Sequence, residues 1–526
     1  MMGHHGPSGA GYVAAALVVL VPLAAVLARH LWRSLCTHRR AAVVPGLPVA
    51  PCKAYFLVGH APHFAPDVIA GSRALCVDGA DPVTGLCSFW FTVSPAVSVL
   101  RAEHARRVFA ATTHRDAIKL VEVHMDQFLG RKALVTLQHE EWALHRRLIS
   151  SAFKFTHLKG MVSDISDVAQ RLCETLRNGV HGDLAAAAGL DLVPILKKAT
   201  LDVIGRTSFD HDFACCQSSD SPEMAENFKF LLSENARRSH ESPLNPASFL
   251  YWLPTRANRR FRECKQKVHG LLRGLIGEHR RKIERAAASG DSSGLHQNFM
   301  TLMLLARDGE RSITDEALID NMMVLFFGGY DTTSIGLAYA CYELARNPAV
   351  ARRVRSEVAE VMGERLDFTY EDYTRLSFTT AVWKETLRLY PPAPITARNL
   401  LEDMELEGAT IPAGTMMYIP IWWIHRDPRN WGPDAAEFVP GRFLEAAEGG
   451  KKKEDRAFAN YFAFSGGARV CVGHRFALLE GVVVLAQLAR SFDFAQPDGA
   501  PKVVSQSLGV VQEAKHGVWL KLGAAQ

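Results

Sequence analysis

The stretch FAFSGGARVCVGHRFALLE, residues Phe462 to Glu480, decides how the rest of this chain can be interpreted. One cysteine, Cys471, stands between glycines and close to an arginine, just ahead of a strongly apolar run that is typical of a buried helix. A helix start favours the thiolate, the form of cysteine that acts as nucleophile and metal ligand. An inert structural cysteine at a helix start is the alternative, and the spacing of the neighbouring residues decides against it.

The residues around Cys471 suit a flat, bulky and acidic group. Gly467 and Gly473 lack side chains, so such a group could approach the backbone closely. Arg469 could bind an acid on that group through a forked, charge-assisted contact. The stretch therefore predicts a site for a prosthetic group at this cysteine.

Composition and charge limit what the rest of the chain can be. The 526 residues are 48% hydrophobic and 22% charged, which is ordinary for a globular protein and excludes wholesale disorder. A net charge of +5 is too weak to indicate nucleic-acid binding. None of the ten cysteines forms a CxxC pair, so no zinc site is predicted, and ten cysteines are too sparse for a disulfide framework in a chain of this size. His139 and His145 are six residues apart rather than four, which excludes a helical zinc motif.

The N-terminus predicts a membrane anchor. Ala10 to Ala28 carries no charge, and a helix of that length spans about 28 Å, roughly the thickness of the bilayer core. Arginines follow the run, so the positive-inside rule places residues 1–9 in the lumen and the body in the cytosol. A cleaved signal peptide is the alternative, disfavoured because no Lys or Arg precedes the run. Residues 29–51 read as a basic, proline-rich linker, with Pro45 to Pro51 as a stiff extended tether.

The body, residues 52–526, is predicted to be mainly α-helical with a smaller β-sheet region. Helical patterns include Ala185 to Ile204 and Asn258 to Ala288, and Ala286 to Gly294 reads as a flexible loop. The β-like runs are Leu86 to Leu100, Met404 to Ile419 and Val503 to Leu522. Residues 256–285 hold eleven Lys and Arg against three Glu, which indicates a solvated helix face, with contact to anionic lipid or an acidic partner as the alternative.

The cysteine stretch resembles the haem-ligand loop of the cytochrome P-450 haem-thiolate monooxygenases, of the membrane-anchored eukaryotic microsomal type. The residues that carry the resemblance are Phe464, Gly467, Arg469, Cys471 and Gly473. The resemblance extends from about Pro45 to the C-terminus. It implies that Cys471 ligates the iron of haem b, the metal of the site, and that Arg469 binds a haem propionate. The implied fold is a triangular prism, with haem between a long oxygen-groove helix and the cysteine helix.

Other stretches match the same family in the expected order. Glu385 and Arg388 resemble its buried Glu-Arg pair, and Arg442 the arginine that completes that network as structural support. Trp142 and Arg146 resemble a helix that contacts the haem propionates, and Arg398 a further propionate-binding arginine.

The run FFGGYDTTS, Phe326 to Ser334, resembles the oxygen-binding groove of the family, inside a helix predicted from Leu318 to Ala345. Two glycines and two threonines are unfavourable inside a helix, but a helix that needs a local widening can tolerate them. The resemblance implies that Thr332 positions a proton-carrying water and that Asp331 supplies the protons. A glycine-weakened core helix is the alternative.

The implied reaction is monooxygenation, in which one oxygen atom of O₂ enters a C–H or C=C bond of a lipophilic molecule. The pocket is expected within 116–134, 323–328, 393–396 and 507–511, with apolar residues on its walls. The residues proposed to line it are Phe326, Phe327, Gly328, Ile395 and Val510. Fatty acids and xenobiotics are favoured over sterols, and terpenoids stay open.

The resemblance also implies partners and location. The chain has no flavin or dinucleotide pattern of its own, so electrons are expected from NADPH through a diflavin reductase, with cytochrome b5 as a further candidate. The expected location is the endoplasmic reticulum membrane, with a single pass. Two alternatives are an isomerase or dehydratase of the same fold acting on hydroperoxides, disfavoured by the intact Asp331 and Thr332, and a non-catalytic haem-binding protein.

Overall fold

The architecture comes from a computed structural model that describes residues 26, 28–29, 44–52, 54, 60–64, 67–91, 94–113, 125–177, 189–217, 223–241, 253–291, 297–444, 457–507 and 510–525. The described α-helices are α1 (Val68–Cys76), α2 (Ala102–Ala111), α3 (His139–Ala152), α4 (Phe155–Gly160), α5 (Val162–Arg177), α6 (Leu192–Phe209), α7 (Glu223–Glu241), α8 (Arg256–Ser289), α9 (Phe299–Leu305), α10 (Asp315–Arg346), α11 (Pro348–Met362), α12 (Tyr370–Arg375), α13 (Ser377–Leu389), α14 (Ile421–Ile424), α15 (Pro428–Trp431) and α16 (His474–Ser491). The prediction of a mainly helical body is confirmed.

The strands are short and form four small sheets among the described residues. They are β1 (Leu86–Phe91), β2 (Ser94–Val99), β3 (Leu190–Asp191), β4 (Thr396–Asn399), β5 (Met404–Leu406), β6 (Ala409–Ile411), β7 (Met416–Ile419), β8 (Phe492–Ala495), β9 (Ser505–Ser507), β10 (Gln512–Ala514) and β11 (Trp519–Ala524). The largest sheet has the order β1-β2-β7-β4, with β2 parallel to β7 and the other pairs antiparallel. All three β-like runs of the sequence are therefore confirmed as strands.

Helix α10 is the central helix of the largest hydrophobic core. The Thr314 side chain caps its start by accepting from the Ala317 N–H, and acidic residues occupy its first turn. The helix packs against α6, α11, α13 and α16. These contacts bury most of its residues, which offsets the cost of the two glycines in its middle.

Trp383 of α13 joins α10 to α16. Its ring is 1% exposed, and its indole N–H donates to the Ala477 carbonyl at 3.2 Å. A Cβ on Gly481 would lie 2.1 Å from the ring, and a Cβ on Gly336 would lie 2.7 Å from it. Glycine at both positions therefore lets the three helices approach one large side chain, which fixes α16 relative to the long helix.

The described part of the N-terminal region packs on the body. Val44, Leu47 and Ala50 are at most 9% exposed, and Val49 forms a parallel bridge to Ser88 in β1. The predicted stiff tether from Pro45 is thus bound to the sheet, because its backbone pairs with β1 and the side chains of Leu47 and Ala50 are buried. Among the described residues, no helix combines the length and the apolar character needed to cross a bilayer. The predicted anchor, Ala10 to Ala28, lies outside the described residues except for positions 26 and 28.

Two predicted boundaries differ from the structure. The helix expected from Ala185 begins at Leu192, because Asp191 caps it and Leu190–Asp191 pairs with β11. The loop expected from Ala286 begins later, since α8 continues to Ser289 and ends at Gly290 with a left-handed backbone. The basic stretch lies on α8, as predicted.

Candidate active site

The cysteine loop is a tight connection between two regular elements. A 3-10 turn covers Gly467–Arg469, Cys471 follows it, and α16 begins three residues later. The Cys471 N–H donates to the Phe464 carbonyl at 2.9 Å, and the Cys471 carbonyl lies 2.8 Å from the Nδ1 atom of His474. The main chain on both sides of the sulfur is therefore fixed by hydrogen bonds.

Gly467 is needed for the shape of this loop. Its φ is +67°, a left-handed value that favours glycine, and an added Cβ would lie 2.2 Å from the Phe109 carbonyl oxygen of α2. Gly473, by contrast, has room for a Cβ, which would contact Phe153 at 3.6 Å. The sequence suggested that Gly467 leaves room for a flat group. The structure adds a second reason for glycine, which is the close contact with α2.

Cys471 is the exposed thiol among the nine cysteines that the structure describes. Cys52 is half-buried and the other seven are buried. Burial raises the pKa of Cys87 to about 12 and that of Cys173 to about 11, so these thiols stay protonated at neutral pH. Of the described cysteines, Cys471 is thus the one open to an incoming metal centre.

Cations lie near Cys471. Burial lowers the pKa of Arg146 on α3, while the negative charge on Cys471 acts in the opposite direction. Burial also lowers the pKa of His474, and the charges of Arg475 and Arg146 lower it further. The guanidinium of Arg146 therefore favours the thiolate form of Cys471, the form that ligates metals.

Arg469 connects the cysteine loop to the segment before α3. It is 7% exposed, and its guanidinium lies 4.1 Å from the centre of the Trp142 ring. Its Nε donates to the Thr113 carbonyl at 3.0 Å, and its Nη2 donates to Leu137 and Gln138 oxygens at 2.9 and 2.8 Å. The structure thus brings Arg469 and Trp142 together, as a shared site for both requires.

Helix α10 holds that segment in place. The Leu134 N–H donates to Asn321 at 2.8 Å, and the Lys132 N–H donates to Asp320 at 2.9 Å. Because both acceptors are side chains of α10, the Arg469 contacts are fixed relative to the long helix.

Arg398 approaches the loop from β4. It is fully buried, its Nη2 donates to the Ser465 hydroxyl at 3.1 Å, and its guanidinium lies 5.0 Å from the Phe109 ring centre. Phe464, the first residue of the motif, lies edge-on to Tyr461 with 6.3 Å between ring centres. Both predicted cofactor contacts therefore lie at the cysteine loop.

The two glycines in α10 differ in their surroundings. A Cβ on Gly328 would have no atom within 4 Å, and this residue is exposed. A Cβ on Gly329 would lie 2.2 Å from Ile204 of α6. Gly328 thus leaves open space beside the helix, whereas Gly329 permits the close packing of α6.

Thr332 and Asp331 have different partners. The Thr332 hydroxyl donates to the Gly328 carbonyl, so its oxygen keeps lone pairs that can accept a hydrogen bond. An oxygen of Asp331 lies 2.5 Å from Nζ of Lys197 on α6, and both side chains are partly exposed, at 14% and 27%. This ion pair holds the carboxylate toward α6.

The predicted pocket residues do not share one environment. Phe326 is fully buried and stacks on Phe209 of α6 with 4.5 Å between ring centres, so it belongs to the packed core. Phe327 is half-buried and lies edge-on to Phe128 at 5.8 Å. Ile395 and Val510 are half-buried as well. Positions 116–124, 508 and 509, also expected in the pocket, lie outside the described residues.

Glu385 and Arg388 form a fully buried ion pair on α13. Two parallel contacts of 2.7 and 2.8 Å join the guanidinium to the carboxylate, and both side chains are 0% exposed. Arg442 contacts the same carboxylate at 3.3 Å. The other Arg388 N–H groups donate to three carbonyls, those of His425, Ala435 and Glu437, at 2.6 to 2.8 Å. All five Arg388 donors are thus satisfied, which a buried charge requires.

The residues around Cys471 fit a haem held by a thiolate. The exposed sulfur of Cys471 can bind iron, and the guanidinium groups of Arg146 and Arg469 can bind acidic substituents. The Trp142 ring, which lies beside Arg469, can contact a flat ring. Within the described residues, no group of three or more His, Cys, Asp and Glu side chains could hold a metal ion.

Three residues of interest escaped the sequence interpretation: Lys197, His425 and Glu480. Lys197 lies on the same face of α6 as Thr200, whose hydroxyl donates to the Tyr330 carbonyl at 2.8 Å. Its spacing from Thr200 could have indicated a shared face, but the partner on α10 could not be deduced. Glu480 is a single acidic residue in an apolar stretch, and His425 follows the apolar run Ile421 to Ile424 directly before Arg426, so no spacing distinguishes either residue.

Comparison with known proteins places these features in a family. The family model described as Cytochrome P450 matches residues 54–520. The chain is 32% identical to cytochrome P450 734A5 of Oryza sativa subsp. japonica, over 77% of this chain and 73% of that protein. It is 30% identical to the 11-oxo-beta-amyrin 30-oxidase of Glycyrrhiza uralensis, over 77% and 74%. It is also 30% identical to human cytochrome P450 4F12, over 73% and 72%.

Proposed function

The chain belongs to the cytochrome P450 family, and from that premise we propose that it is a membrane-anchored monooxygenase of a lipophilic substrate with Cys471 as its axial ligand. The family is one of oxidoreductases that hold haem b through a cysteine thiolate. The observation that carries the ligand assignment is the exposure of Cys471, because the other described cysteines are half-buried or buried.

We assign the haem contacts to the side chains that converge on the cysteine loop. Arg469, Arg146 and Arg398 supply positive charge for the propionates, and Trp142 and Phe464 supply aromatic surface. Arg469 donates to main-chain carbonyls as well, so its guanidinium is held in one orientation before any carboxylate arrives.

Bound haem supplies the reductive activation of O₂, and Thr332 and Asp331 of α10 deliver the protons. Thr332 directs its hydrogen to Gly328 and therefore presents an acceptor to a proton-carrying water. Asp331 is held toward α6 by Lys197, and its partial exposure lets it exchange protons with solvent. Gly328 leaves the space that a water molecule at Thr332 requires.

The substrate is a lipophilic small molecule. Support comes from the half-buried apolar side chains expected around the pocket, Phe327, Ile395 and Val510. One relative is named for oxidising 11-oxo-beta-amyrin, so a terpenoid stands beside the fatty acids and xenobiotics that the sequence favours. Phe326 is fully buried in the core, where it stacks on Phe209.

Electrons come from a separate protein. We propose the NADPH-dependent diflavin reductase as donor, with cytochrome b5 as a second one, and a single anchor at Ala10 to Ala28 that holds the domain at the cytosolic face of the endoplasmic reticulum. The support for the anchor is the uncharged run followed by arginines.

Reconstitution tests this function. The purified protein is combined with the reductase, NADPH and panels of fatty acids, terpenoids and sterols, and products are identified by mass spectrometry with ¹⁸O₂. A monooxygenase consumes NADPH and places one ¹⁸O atom in its product. Rearrangement of a hydroperoxide without NADPH would support the isomerase alternative instead, and haem binding without turnover on any panel would contradict the enzyme.

A further inference from the structure

His425 connects the buried ion-pair network to the start of the cysteine loop. It follows α14 and is 0% exposed. Its Nδ1 lies 2.9 Å from the Arg388 carbonyl oxygen, and its Nε2 lies 2.8 Å from the Phe462 nitrogen. The ring is nearly parallel to that of Tyr461, at 5°, with 5.8 Å between their centres. Both ring nitrogens and one ring face are thus occupied by fixed partners.

These partners determine the protonation state of the ring. A backbone N–H can only donate, so Nε2 of His425 accepts from Phe462. A carbonyl can only accept, so Nδ1 carries the hydrogen and donates to Arg388. His425 is therefore neutral, with its hydrogen on Nδ1. Burial is the main cause that lowers its pKa, and the charge of Arg388 acts in the same direction.

The contact with Arg388 is reciprocal. The Arg388 guanidinium donates to the His425 carbonyl at 2.6 Å, while the His425 ring donates to the Arg388 carbonyl. Main chain and side chain of His425 are both bound to α13 at a residue whose own charge is paired with Glu385. The ring position is thus set by contacts to a fully buried ion pair.

The other nitrogen acts on the loop. Phe462 begins the stretch that leads to the cysteine, and its carbonyl accepts the Ser465 N–H at 2.8 Å. Two residues after Phe462, the Phe464 carbonyl accepts the Cys471 N–H at 2.9 Å. A displacement of Phe462 would therefore be passed along the chain to Phe464, in a turn closed by the Ser465 contact, and through one hydrogen bond to the main chain of Cys471.

We propose that His425 is a positioning residue for Cys471. Its Nε2 atom accepts the Phe462 N–H, while its Nδ1 atom and its carbonyl are bound to Arg388. The loop that carries the sulfur is thereby held in a fixed position relative to the Glu385 and Arg388 pair. This rests on the proposed role of Cys471 as haem ligand. A residue with only a packing role would need the volume and ring of histidine, whereas this role needs the acceptor.

Three variants separate the acceptor, the donor and the ring. His425→Gln places an amide oxygen near the position of Nε2 and can keep the acceptor for Phe462. His425→Asn places an amide nitrogen near the position of Nδ1 and can keep only the donor to Arg388. His425→Phe keeps an aromatic ring beside Tyr461 and loses both hydrogen bonds.

Two readouts on the haem-loaded protein test the proposal. Hydrogen exchange of the peptide containing Phe462 should stay slow in His425→Gln and become about tenfold faster in the Asn and Phe variants, the factor expected for one lost buried hydrogen bond. The second readout is the fraction of reduced, CO-bound protein that shows the red-shifted thiolate spectrum. This fraction should stay high in His425→Gln and fall in the Asn and Phe variants. Equal retention of that fraction in the Phe and Gln variants, or in the Asn and Gln variants, would overturn the proposal.

A fourth variant distinguishes this failure from failure of the proposed function. Cys471→His should abolish the thiolate spectrum while leaving the exchange of the Phe462 peptide slow. A thiolate spectrum that survives Cys471→His would overturn the ligand assignment, and with it the role of His425 toward that ligand.

Discussion

Thr332 and Asp331 show at the scale of single residues how two adjacent polar side chains can differ in their tasks. The Thr332 hydroxyl is bound to its own helix, whereas Asp331 reaches across to Lys197 on α6. The hydrogen bond of Thr332 leaves the lone pairs of its oxygen free to accept from a water. The ion pair with Lys197 holds the Asp331 carboxylate where it is partly exposed. One residue can therefore position a water, and the other can exchange protons with solvent.

We expect Thr332→Val to uncouple the reaction without disturbing substrate binding. Valine keeps the branched shape and removes the hydroxyl, so a proton-carrying water loses its acceptor. The product formed per NADPH should fall and hydrogen peroxide release should rise, while the spectral shift caused by substrate keeps a similar affinity. Thr332→Ser, which retains the hydroxyl, is the matched control and should stay coupled. Full coupling in the valine variant would remove Thr332 from the proton route.

Asp331→Asn should act differently, because the amide keeps the shape but cannot carry protons. We expect turnover to slow with the ratio of product to NADPH largely preserved, measured in the same assay. A variant that releases as much hydrogen peroxide as Thr332→Val would show that the two residues do not have separate roles.

At the scale of the element, α16 carries a buried acid that the sequence did not distinguish. Glu480 is 0% exposed, and the Thr333 side chain of α10 is the group that acts against burial by lowering its pKa. Burial raises the pKa of Glu480 from its ordinary 4.5 to about 8. The folded protein therefore holds this carboxyl protonated over a pH range in which the unfolded chain releases the proton.

The sign of the resulting pH dependence follows from this difference. Below pH 4.5 the carboxyl is protonated in both states, and between 4.5 and 8 the unfolding free energy falls by about 1.4 kcal/mol per pH unit. Glu480→Gln removes the titrating carboxyl and with it this fall in unfolding free energy. The unfolding free energy of the variant minus that of the parent protein should therefore increase as pH rises. Urea unfolding at pH 5, 6, 7 and 8 measures it, with the exposed Glu364→Gln as control. A difference that stays constant with pH would contradict the account.

The ion pair of α13 also belongs to this scale. Glu385→Ala leaves the Arg388 guanidinium buried without its carboxylate, which we expect to cost about 3–5 kcal/mol and to reduce haem content sharply. The matched control is Asp308→Ala, which breaks the exposed pair with Arg147 and should cost less than about 1 kcal/mol. Urea unfolding and haem per chain measure both. Normal haem content in Glu385→Ala would show that the pair does not support the haem side.

At the scale of the whole molecule, the sequence predicted what local patterns encode. The helical body, the three β-like runs and the helix around Gly328 follow from periodicity and are confirmed. Contacts between distant segments could not be read in this way. The pairing of Lys197 with Asp331, the insertion of Trp383 between two glycines, and the binding of His425 to Phe462 depend on how helices meet, which no local spacing records.

The predicted anchor acts on the molecule as a whole. Deletion of residues 1–40 should release much of the protein from membranes and leave its haem spectrum unchanged, because Val44, Leu47 and Ala50, which pack on the body, are retained. Deletion of residues 1–51 removes these contacts and should also lower the stability of the domain. Carbonate extraction and thermal unfolding measure the two effects. A body protected from protease in intact microsomes would contradict the proposed cytosolic orientation.

The measurement that tests the central claim most directly is the spectrum of the reduced protein with CO. We expect the strongly red-shifted Soret band of thiolate ligation in the parent protein, and its movement to the position of a histidine-ligated haem in Cys471→His. Cys52→His, at a half-buried cysteine away from the loop, should leave the band in place. An unchanged thiolate band in Cys471→His would contradict the assignment of Cys471 as the axial ligand.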